Sequence, residues 1–266
     1  MAPDIASLLQ FLGVPGFRYR DAHARPARRS HERPPRAGVT IFALVSLVRG
    51  VGRTTLAANL ATALGRAGVR AASVDLDPRG DLRTHFRDRL DGLEAGDEPD
   101  AGISWPERNV GFVPRKGDHA SAVEAAWDCD AVVLDTAAGE SDAVEQALAE
   151  ADEVLIIARP DARCLDAVPA TEALLARCRM RSWRRTRARY LVNRFDGRRP
   201  QDRAALSALR RTLGPRLLSP VVQEDAAVQQ ALAAGRCIED LAPGSQVVAD
   251  LRLLAAGLVS GSKAAP

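Results

Sequence analysis

Residues 39–55 read Val-Thr-Ile-Phe-Ala-Leu-Val-Ser-Leu-Val-Arg-Gly-Val-Gly-Arg-Thr-Thr. An apolar run of strand-forming residues leads into a short loop that contains glycine, and a helix-forming segment follows at once. That order predicts a buried parallel strand, a phosphate-sized loop and a helix N-terminus. Backbone N–H groups and the positive end of a helix dipole would meet at such a loop. The stretch therefore predicts a binding site for the phosphates of a nucleotide.

The loop matches only part of the phosphate-loop pattern G-x-x-x-x-G-K-[ST]. Gly52 and Thr54 fit, but Leu47 stands at the first glycine and Arg53 at the lysine. Arg53 keeps the positive charge, although its planar guanidinium is not equivalent to an ammonium. Thr54 could offer its hydroxyl to a magnesium ion, and Thr55 could offer one to a phosphate. An ordinary strand-to-helix turn that binds nothing is the alternative.

The composition is that of a globular α/β protein with a tail. The chain has 266 residues, of which 46% are hydrophobic and 27% are charged, enough for one large domain. The longest apolar run, residues 39–48, is too short to span a bilayer. Asp4 and the lack of a basic lead argue against a secretory signal. Without a C-x-x-C pair, the four cysteines are expected to be small buried residues in a reducing cytoplasm.

Positive charge is concentrated in two stretches, although the formal net charge is only +3. Five arginines lie in residues 21–38 and ten in residues 177–199. Lysine occurs only at positions 116 and 263, so none is available near the loop. A basic stretch can contact nucleic acid, a membrane surface or an acidic partner. For residues 21–38 a solvated linker is the favoured interpretation.

The N-terminal part predicts two small units. Residues 1–20 predict a short helix that Asp4 can cap, with an apolar stripe formed by Ile5, Leu8, Leu9 and Leu12. Residues 21–38, rich in proline and arginine, predict a linker without a core. Because a helix this short needs something to pack on, a docking peptide and a frayed tail both remain open.

From residue 39 onward strand and helix patterns alternate, which predicts a doubly wound, mostly parallel sheet covered by helices on both faces, over residues 39–260. Strands are predicted near 39–46, 70–76, 109–113, 130–135, 153–158, 188–193 and 219–222. Helices are predicted near 53–67, 118–127, 141–151, 163–179, 201–213, 225–234 and 244–258. The polar segment 88–105 is predicted to be a surface loop.

Polar residues close three of these strands, at the edge where ligands bind in such sheets. Asp75 and Asp77 could face a metal or order a water molecule, or simply end the strand in a turn. Asp135 ends an apolar run in the way of a magnesium-holding acid of phosphate-loop proteins. Asn193 could read a base edge or cap a turn.

Taken in order and spacing, these features resemble the ParA/MinD branch of the deviant-Walker ATPases. That branch shows K-G-G-V-G-K-T-T, then D-x-D-P, D-T/P, A-D-x-V and N-R. The corresponding segments of this chain are Val48–Thr55, Asp75–Pro78, Asp135-Thr136, Ala151–Val154 and Asn193-Arg194. The resemblance covers roughly residues 39–258. It implies a P-loop NTPase-like fold and a homodimer that sandwiches ATP with Mg²⁺.

The resemblance also implies a role for each matching residue. The phosphates would be lined by Gly50, Val51, Gly52, Arg53, Thr54 and Thr55. Thr54 and Asp135 would bind magnesium. Asp77 would be the catalytic residue that contacts the attacking water, and Asn193 would contact the adenine.

Two departures from the family pattern bear on activity. The family lysine that reaches across the dimer would be at position 48, where this chain has Val48. Losing such a cation costs about 10³-fold or more in phosphoryl transfer, so we expect weak ATP hydrolysis or none. Arg49 replaces a loop glycine and adds bulk, which bears on nucleotide binding as well.

Within that branch the chain looks most like the cellulose-biosynthesis members, the BcsQ (YhjQ) proteins. The matching segments are Asn193–Asp196, Arg199-Pro200, Glu224-Asp225 and Ala242–Gln246. Residues 4–21 resemble the small companion protein BcsR, as if tethered in cis. This implies a regulatory, nucleotide-binding dimer in the cytoplasm, recruited to the inner membrane's cytoplasmic face by subunits of the cellulose synthase complex. The N-terminal helix would dock in cis or on the dimer mate.

Two other functions remain open. A ParA-type partitioning or positioning ATPase would bind DNA through the arginine-rich stretch 177–199; nucleic acid is the less favoured partner because the cation at position 48 is absent. A septum-site MinD relative would need a basic amphipathic membrane helix at the C-terminus. Residues 247–258 lack a basic face and are expected to pack on the sheet.

Overall fold

The computed structural model describes residues 39–91, 102–114, 119–181 and 186–262. The chain divides into a unit of residues 1–36 and a unit of residues 37–266, and the described residues all belong to the second. The predicted N-terminal helix (1–20) and basic linker (21–38) therefore lie outside the described residues, and both stay predictions.

A seven-stranded sheet forms the centre of the second unit. Its strands are β1 (Thr40–Val45), β2 (Ala71–Asp75), β3 (Ser104–Glu107), β4 (Val110–Val113), β5 (Ala131–Asp135), β6 (Glu153–Ala158) and β7 (Arg187–Val192). They lie in the order β3-β4-β2-β5-β1-β6-β7. Only β3 is antiparallel to its neighbour. The prediction of a mostly parallel sheet is confirmed.

Helices connect the strands and cover both faces of the sheet. They are α1 (Arg53–Arg66), α2 (Arg87–Leu90), α3 (His119–Glu124), α4 (Asp142–Glu150), α5 (Ala162–Asp166), α6 (Val168–Arg181), α7 (Pro200–Leu213), α8 (Ala226–Ala233), α9 (Ile238–Leu241) and α10 (Gln246–Ser262). Short 3₁₀ turns lie at Asp81–Phe86 and Gly214–Arg216. Among the described residues, no helix combines the length and apolar character that crossing a bilayer requires.

Alternate residues of the central strand face opposite cores, as the period of a strand requires. Phe42 and Leu44 pack into a cluster with α1 and α10. Ala43 and Val45 pack into the second cluster, with α4, α6 and α7. Because α10 packs on α1 and shares the first cluster with Phe42 and Leu44, its apolar side faces the protein's own core on this face of the sheet.

Two segments differ from the sequence prediction. The strand predicted at 219–222 is wrong: the segment beside β7 makes only isolated bridges, from Tyr190 to Leu217 and from Phe195 to Gln223. Pro220 cannot donate to a ladder there. The loop predicted at 88–105 instead ends in β3, which runs antiparallel to β4. Pro106 is tolerated in β3 because that strand lies at the sheet edge.

Candidate functional site

The loop between β1 and α1 has the left-handed backbone conformation at its two glycines. Gly50 has φ 76° and Gly52 has φ 89°, in the left-handed region that glycine occupies without strain. A Cβ on Gly52 would lie 2.5 Å from Nδ2 of Asn193, so this position also has no room for a side chain. The first turn of α1 has no acidic side chain and no side-chain cap, which leaves its N–H groups available to an anion.

The two unusual side chains before Gly50 lie differently. Val48 is half-buried and packs against the core, which leaves no cation at this position. Arg49 is exposed. Its effect on nucleotide binding stays a prediction.

Strand order brings the predicted site residues to one edge of the sheet. β5 lies beside β1, with Asp135 opposite Leu44, and β2 lies beside β5, with Asp75 opposite Asp135. Loop, Asp77 and Asp135 therefore meet at the carboxyl ends of three adjacent strands. This is where an open α/β sheet binds its ligand.

Arg53, in the place of the loop lysine, points into this edge. Its side chain is only 4% exposed, and its Nη2 lies 3.9 Å from Oδ2 of Asp77. Its Nη1 is buried and has no hydrogen-bond acceptor. Burial lowers the pKa of Arg53, and the charges of Asp135 and Asp77 oppose that shift. A buried cationic donor without an acceptor is what an incoming phosphate oxygen could satisfy.

Asp135 is the matching unsatisfied acid. It is fully buried, and neither of its carboxylate oxygens has a hydrogen-bond partner. Burial raises the pKa of Asp135 to about 7, and the neighbouring Thr54 hydroxyl and Arg53 oppose the rise. Such an orphaned acid suits a hard cation or a donor.

These residues fit a magnesium-bound nucleotide. Magnesium binds through one or two carboxylates together with substrate phosphates. Asp135 could provide the carboxylate and Thr54 a hydroxyl. In the described ranges no group of three or more His, Cys, Asp or Glu is arranged to hold a metal. A magnesium ion here would therefore take its remaining ligands from the nucleotide and from water.

The two acids after β2 have different surroundings. Asp75 accepts hydrogen bonds from the backbone N–H groups of Asp77 (3.1 Å) and Leu82 (3.2 Å), and burial raises its pKa to about 6. It organises the strand-end turn. Asp77 faces Arg53 and also accepts from Arg79. Burial would raise the pKa of Asp77, but the hydrogen bonds from Arg79 and the charge of Arg53 hold it below its ordinary value.

A pocket with a cavity volume of about 60 Å³ adjoins the loop. Its lining includes Gly52, Thr55, Asn59, Asn193, Glu224 and Val228. Nδ2 of Asn193 donates to the carbonyl oxygen of Val51 (2.7 Å). Asn193 therefore holds the loop and also faces the pocket. The adenine contact stays a prediction.

The wall of this pocket is fixed by an ion pair. Arg194 has φ 59°, an uncommon value for a residue with a side chain. Its Nε and Nη2 donate to the two carboxylate oxygens of Glu224 (2.7 and 3.0 Å). This bidentate pair ties the turn after β7 to the segment before α8.

Two residues of the site were not assigned a role from sequence. Asn59 lies inside α1, where its Nδ2 donates to the Thr55 carbonyl (2.7 Å) and its Oδ1 accepts from the Ile238 N–H (2.8 Å). An asparagine in a helix interior can be noticed from sequence as a candidate for a structural role, because asparagine is unfavourable at such positions. The other is Arg79, which binds Asp77. The sequence signal for this contact was a basic residue two positions after an acidic one.

The family model described as the CobQ/CobB/MinD/ParA nucleotide binding domain matches residues 42–238, well over half of the chain. The protein belongs to this family. It is also 30% identical over 228 residues to the chromosome-partitioning ATPase Soj of Thermus thermophilus, a match that covers 79% of this chain and 91% of Soj. The ParA/MinD resemblance is thereby confirmed, whereas the finer cellulose-biosynthesis assignment stays a prediction.

Solved structures share the fold. The septum site-determining protein MinD of Pyrococcus horikoshii, complexed with Mg-ADP, superposes with a TM-score of 0.66 at 22% identity and covers 86% of this chain and 100% of its own. MinD of Aquifex aeolicus superposes with a TM-score of 0.67 at 20% identity, and the match covers 83% of this chain and 97% of the MinD chain. Cobyrinic acid a,c-diamide synthase of Mycobacterium smegmatis, with bound ADP and magnesium, superposes with a TM-score of 0.65 at 17% identity. That match covers 85% of this chain and 96% of the synthase chain. The P-loop NTPase-like fold is confirmed.

Proposed function

We propose that the protein is a regulatory, nucleotide-binding subunit that holds ATP with magnesium and hydrolyses it slowly or not at all. The observation that carries this proposal is the unsatisfied pair in the site: Nη1 of Arg53 and both oxygens of Asp135 are buried without partners. A phosphate and its cation would satisfy both groups. Asp77, in contrast, is already bound by Arg79.

Each site residue has a task in the proposed complex. The N–H groups of residues 50–55 and the N-terminus of α1 bind the phosphates, and Arg53 donates to a phosphate oxygen. Thr54 and Asp135 hold magnesium, which when bound neutralises phosphate charge. Asn193 holds the loop and faces the base.

Slow hydrolysis follows from the side chain at position 48. Val48 offers no charge to a leaving phosphate, and a missing cation of this kind costs about 10³-fold or more. The site therefore favours holding the nucleotide over cleaving it.

The proposed setting is bacterial cellulose synthesis and secretion. Its support is the resemblance of Asn193–Asp196, Glu224-Asp225 and the N-terminal segment to BcsQ (YhjQ) and BcsR. The protein would act as a homodimer at the cytoplasmic face of the inner membrane and contact cellulose synthase subunits. Its N-terminal helix would dock in cis or on the dimer mate.

A second candidate function is a partitioning ATPase that binds DNA, which the 30% identity to Soj favours. The contacts of the arginine-rich stretch 177–199 weigh against it. Acidic partners already engage several of its arginines, in the pairs Arg177–Glu140, Arg189–Glu153, Arg194–Glu224, Arg198–Asp196 and Arg199–Asp196. Paired arginines contribute less positive potential to a phosphate backbone.

Three measurements on the full chain separate these functions. Titration with a fluorescent ATP analogue measures nucleotide binding, sedimentation with and without ATP measures dimerisation, and phosphate release measures turnover. We expect binding and dimerisation with little turnover. Brisk turnover that Asp77→Ala abolishes would contradict the holding function. Absence of ATP binding by the wild type, or equal ATP binding by the wild type and Asp135→Ala, would contradict the site.

The partner is tested by two parallel assays. Purified cellulose synthase subunits should be retained on the immobilised protein, and retention should depend on ATP. A DNA mobility shift that needs ATP and weakens steeply with salt, without retention of the synthase subunits, would favour the partitioning function.

A further inference from the structure

Two guanidinium groups share one oxygen of Asp77. Nη2 of Arg79 lies 2.9 Å from Oδ2 of Asp77, and Nη2 of Arg53 lies 3.9 Å from the same atom. Arg79 also donates from its backbone N–H (3.1 Å) and its Nε (3.2 Å) to Oδ1. The carboxylate of Asp77 thus connects the phosphate loop to the segment that follows β2.

The three side chains differ in their freedom to move. Those of Arg53 and Asp77 are 4% and 3% exposed, whereas that of Arg79 is 57% exposed. The next residue, Gly80, has φ 69° and no atom within 4 Å of where a Cβ would lie. The turn beside Arg79 therefore has space around it. Of the three charged groups, Arg79 is the one that can change partner without opening the core.

Arg79 already lies within the electrostatic field of the site. The hydrogen bonds that Arg79 donates to Asp77 raise the pKa of Arg79, and the charges of Asp81 and Asp135 add to that shift. Asp81 is its other close acid, at 3.6 Å. The guanidinium of Arg79 thus approaches the place where Arg53 and Asp135 would hold the phosphates.

A terminal phosphate competes well for this guanidinium. It offers more charge and more acceptor oxygens than a carboxylate, and arginine binds it with two parallel hydrogen bonds. A diphosphate bound at the same loop lacks the outermost group. The competition with Asp77 therefore exists for a triphosphate and is absent for a diphosphate.

We propose that Arg79 is a specificity-determining residue that reads the terminal phosphate of the bound nucleotide. With a triphosphate bound, Arg79 moves from Asp77 to the phosphate; with a diphosphate bound, it stays on Asp77. This inference rests on the proposed nucleotide binding.

The test compares ATP and ADP affinities of the wild type, Arg79→Gln and a matched control, Arg83→Gln. Arg83 lies in the same segment with a similar exposed fraction, 55%, and its recorded ion pair is with Asp91 at 3.7 Å. Arg79→Gln should weaken ATP binding about tenfold and leave ADP binding within about twofold. Arg83→Gln should change neither. A purely structural role would affect both nucleotides equally.

A second variant checks the exchange from the other side. Asp77→Asn removes the charge that holds Arg79, so ATP should bind about threefold more tightly relative to ADP. Equal effects of Arg79→Gln on both nucleotides, or tighter ATP binding by that variant, would overturn the inference while nucleotide binding itself stands. Absence of binding of either nucleotide to the wild type would overturn the proposed function and this inference with it. Circular dichroism of every variant confirms that the fold is retained.

Discussion

The side-chain amide of Asn193 donates a 2.7 Å hydrogen bond to the carbonyl oxygen of Val51, and this bond joins the end of β7 to the phosphate loop. The same Nδ2 lies 2.5 Å from where a Cβ on Gly52 would be. The loop is therefore held in shape by a strand that is two places away from β1 in the sheet.

Replacing Asn193 with alanine should destabilise the protein and loosen the loop. The Val51 carbonyl would lose its buried donor, at a cost of about 1–3 kcal/mol. Urea unfolding measures this, and nucleotide affinity should fall in parallel. Asn193→Asp cannot donate to the carbonyl and should be at least as destabilised. If both variants unfold at the same midpoint urea concentration as the wild type, this bond does not hold the loop.

Gly52→Ala should be more damaging than Gly50→Ala. Both positions have positive φ, and each substitution carries the strain of a left-handed residue, about 1–2 kcal/mol. Only at position 52 would the new Cβ also meet Asn193, at 2.5 Å; at position 50 nothing lies within 4 Å. Thermal unfolding and nucleotide titration of the pair measure the difference. Equal losses at the two positions would contradict this account.

Stability should fall as pH rises through the range in which Asp135 ionises. Burial raises its pKa from 3.8 to about 7, so between these values the folded state binds more protons than the unfolded state. The linkage relation then makes the free energy of unfolding decrease with pH. Asp75, with a pKa of about 6, acts in the same direction over a narrower range.

Asp135→Asn should remove most of this pH dependence. At pH 8 the variant should be more stable than the wild type by up to about 4 kcal/mol, since one pKa unit corresponds to about 1.4 kcal/mol. Near pH 4 the two should converge. Urea unfolding from pH 4 to 8 provides the measurement, and the slope that remains in the variant reports Asp75. A wild type that gains stability across this range would contradict the assignment.

The thiols should be unreactive in the folded protein. Cys129, Cys164, Cys178 and Cys237 are all buried, and none of them forms a disulfide. Burial raises the pKa of Cys129 and Cys164 to about 11 and that of Cys237 to about 12, and reaction requires an accessible thiolate. Titration with a thiol reagent should label none quickly in buffer and all four in denaturant. Fast labelling in buffer would show that this core opens readily.

Chain direction explains why so much of the site could be predicted. In a parallel sheet the carboxyl end of each strand is on the same edge, so a polar residue after an apolar run has its place fixed by its own neighbours in sequence. Asp77, Asp135 and Asn193 were placed at this edge for that reason. The strand at 219–222 failed because three apolar or small residues beside a proline resemble a strand locally but cannot continue a ladder.

The sequence by itself determined the alternation of strands and helices, the position of the glycine loop and the acids at the strand ends, because these depend on local periodicity and on backbone freedom at single residues. Only the tertiary structure decided that Arg53 lies buried against Asp77, that Arg79 shares that carboxylate and that Asn193 holds Val51. These contacts depend on which strands are neighbours. That order follows from packing the two faces of the whole sheet, and no short stretch of the chain encodes it.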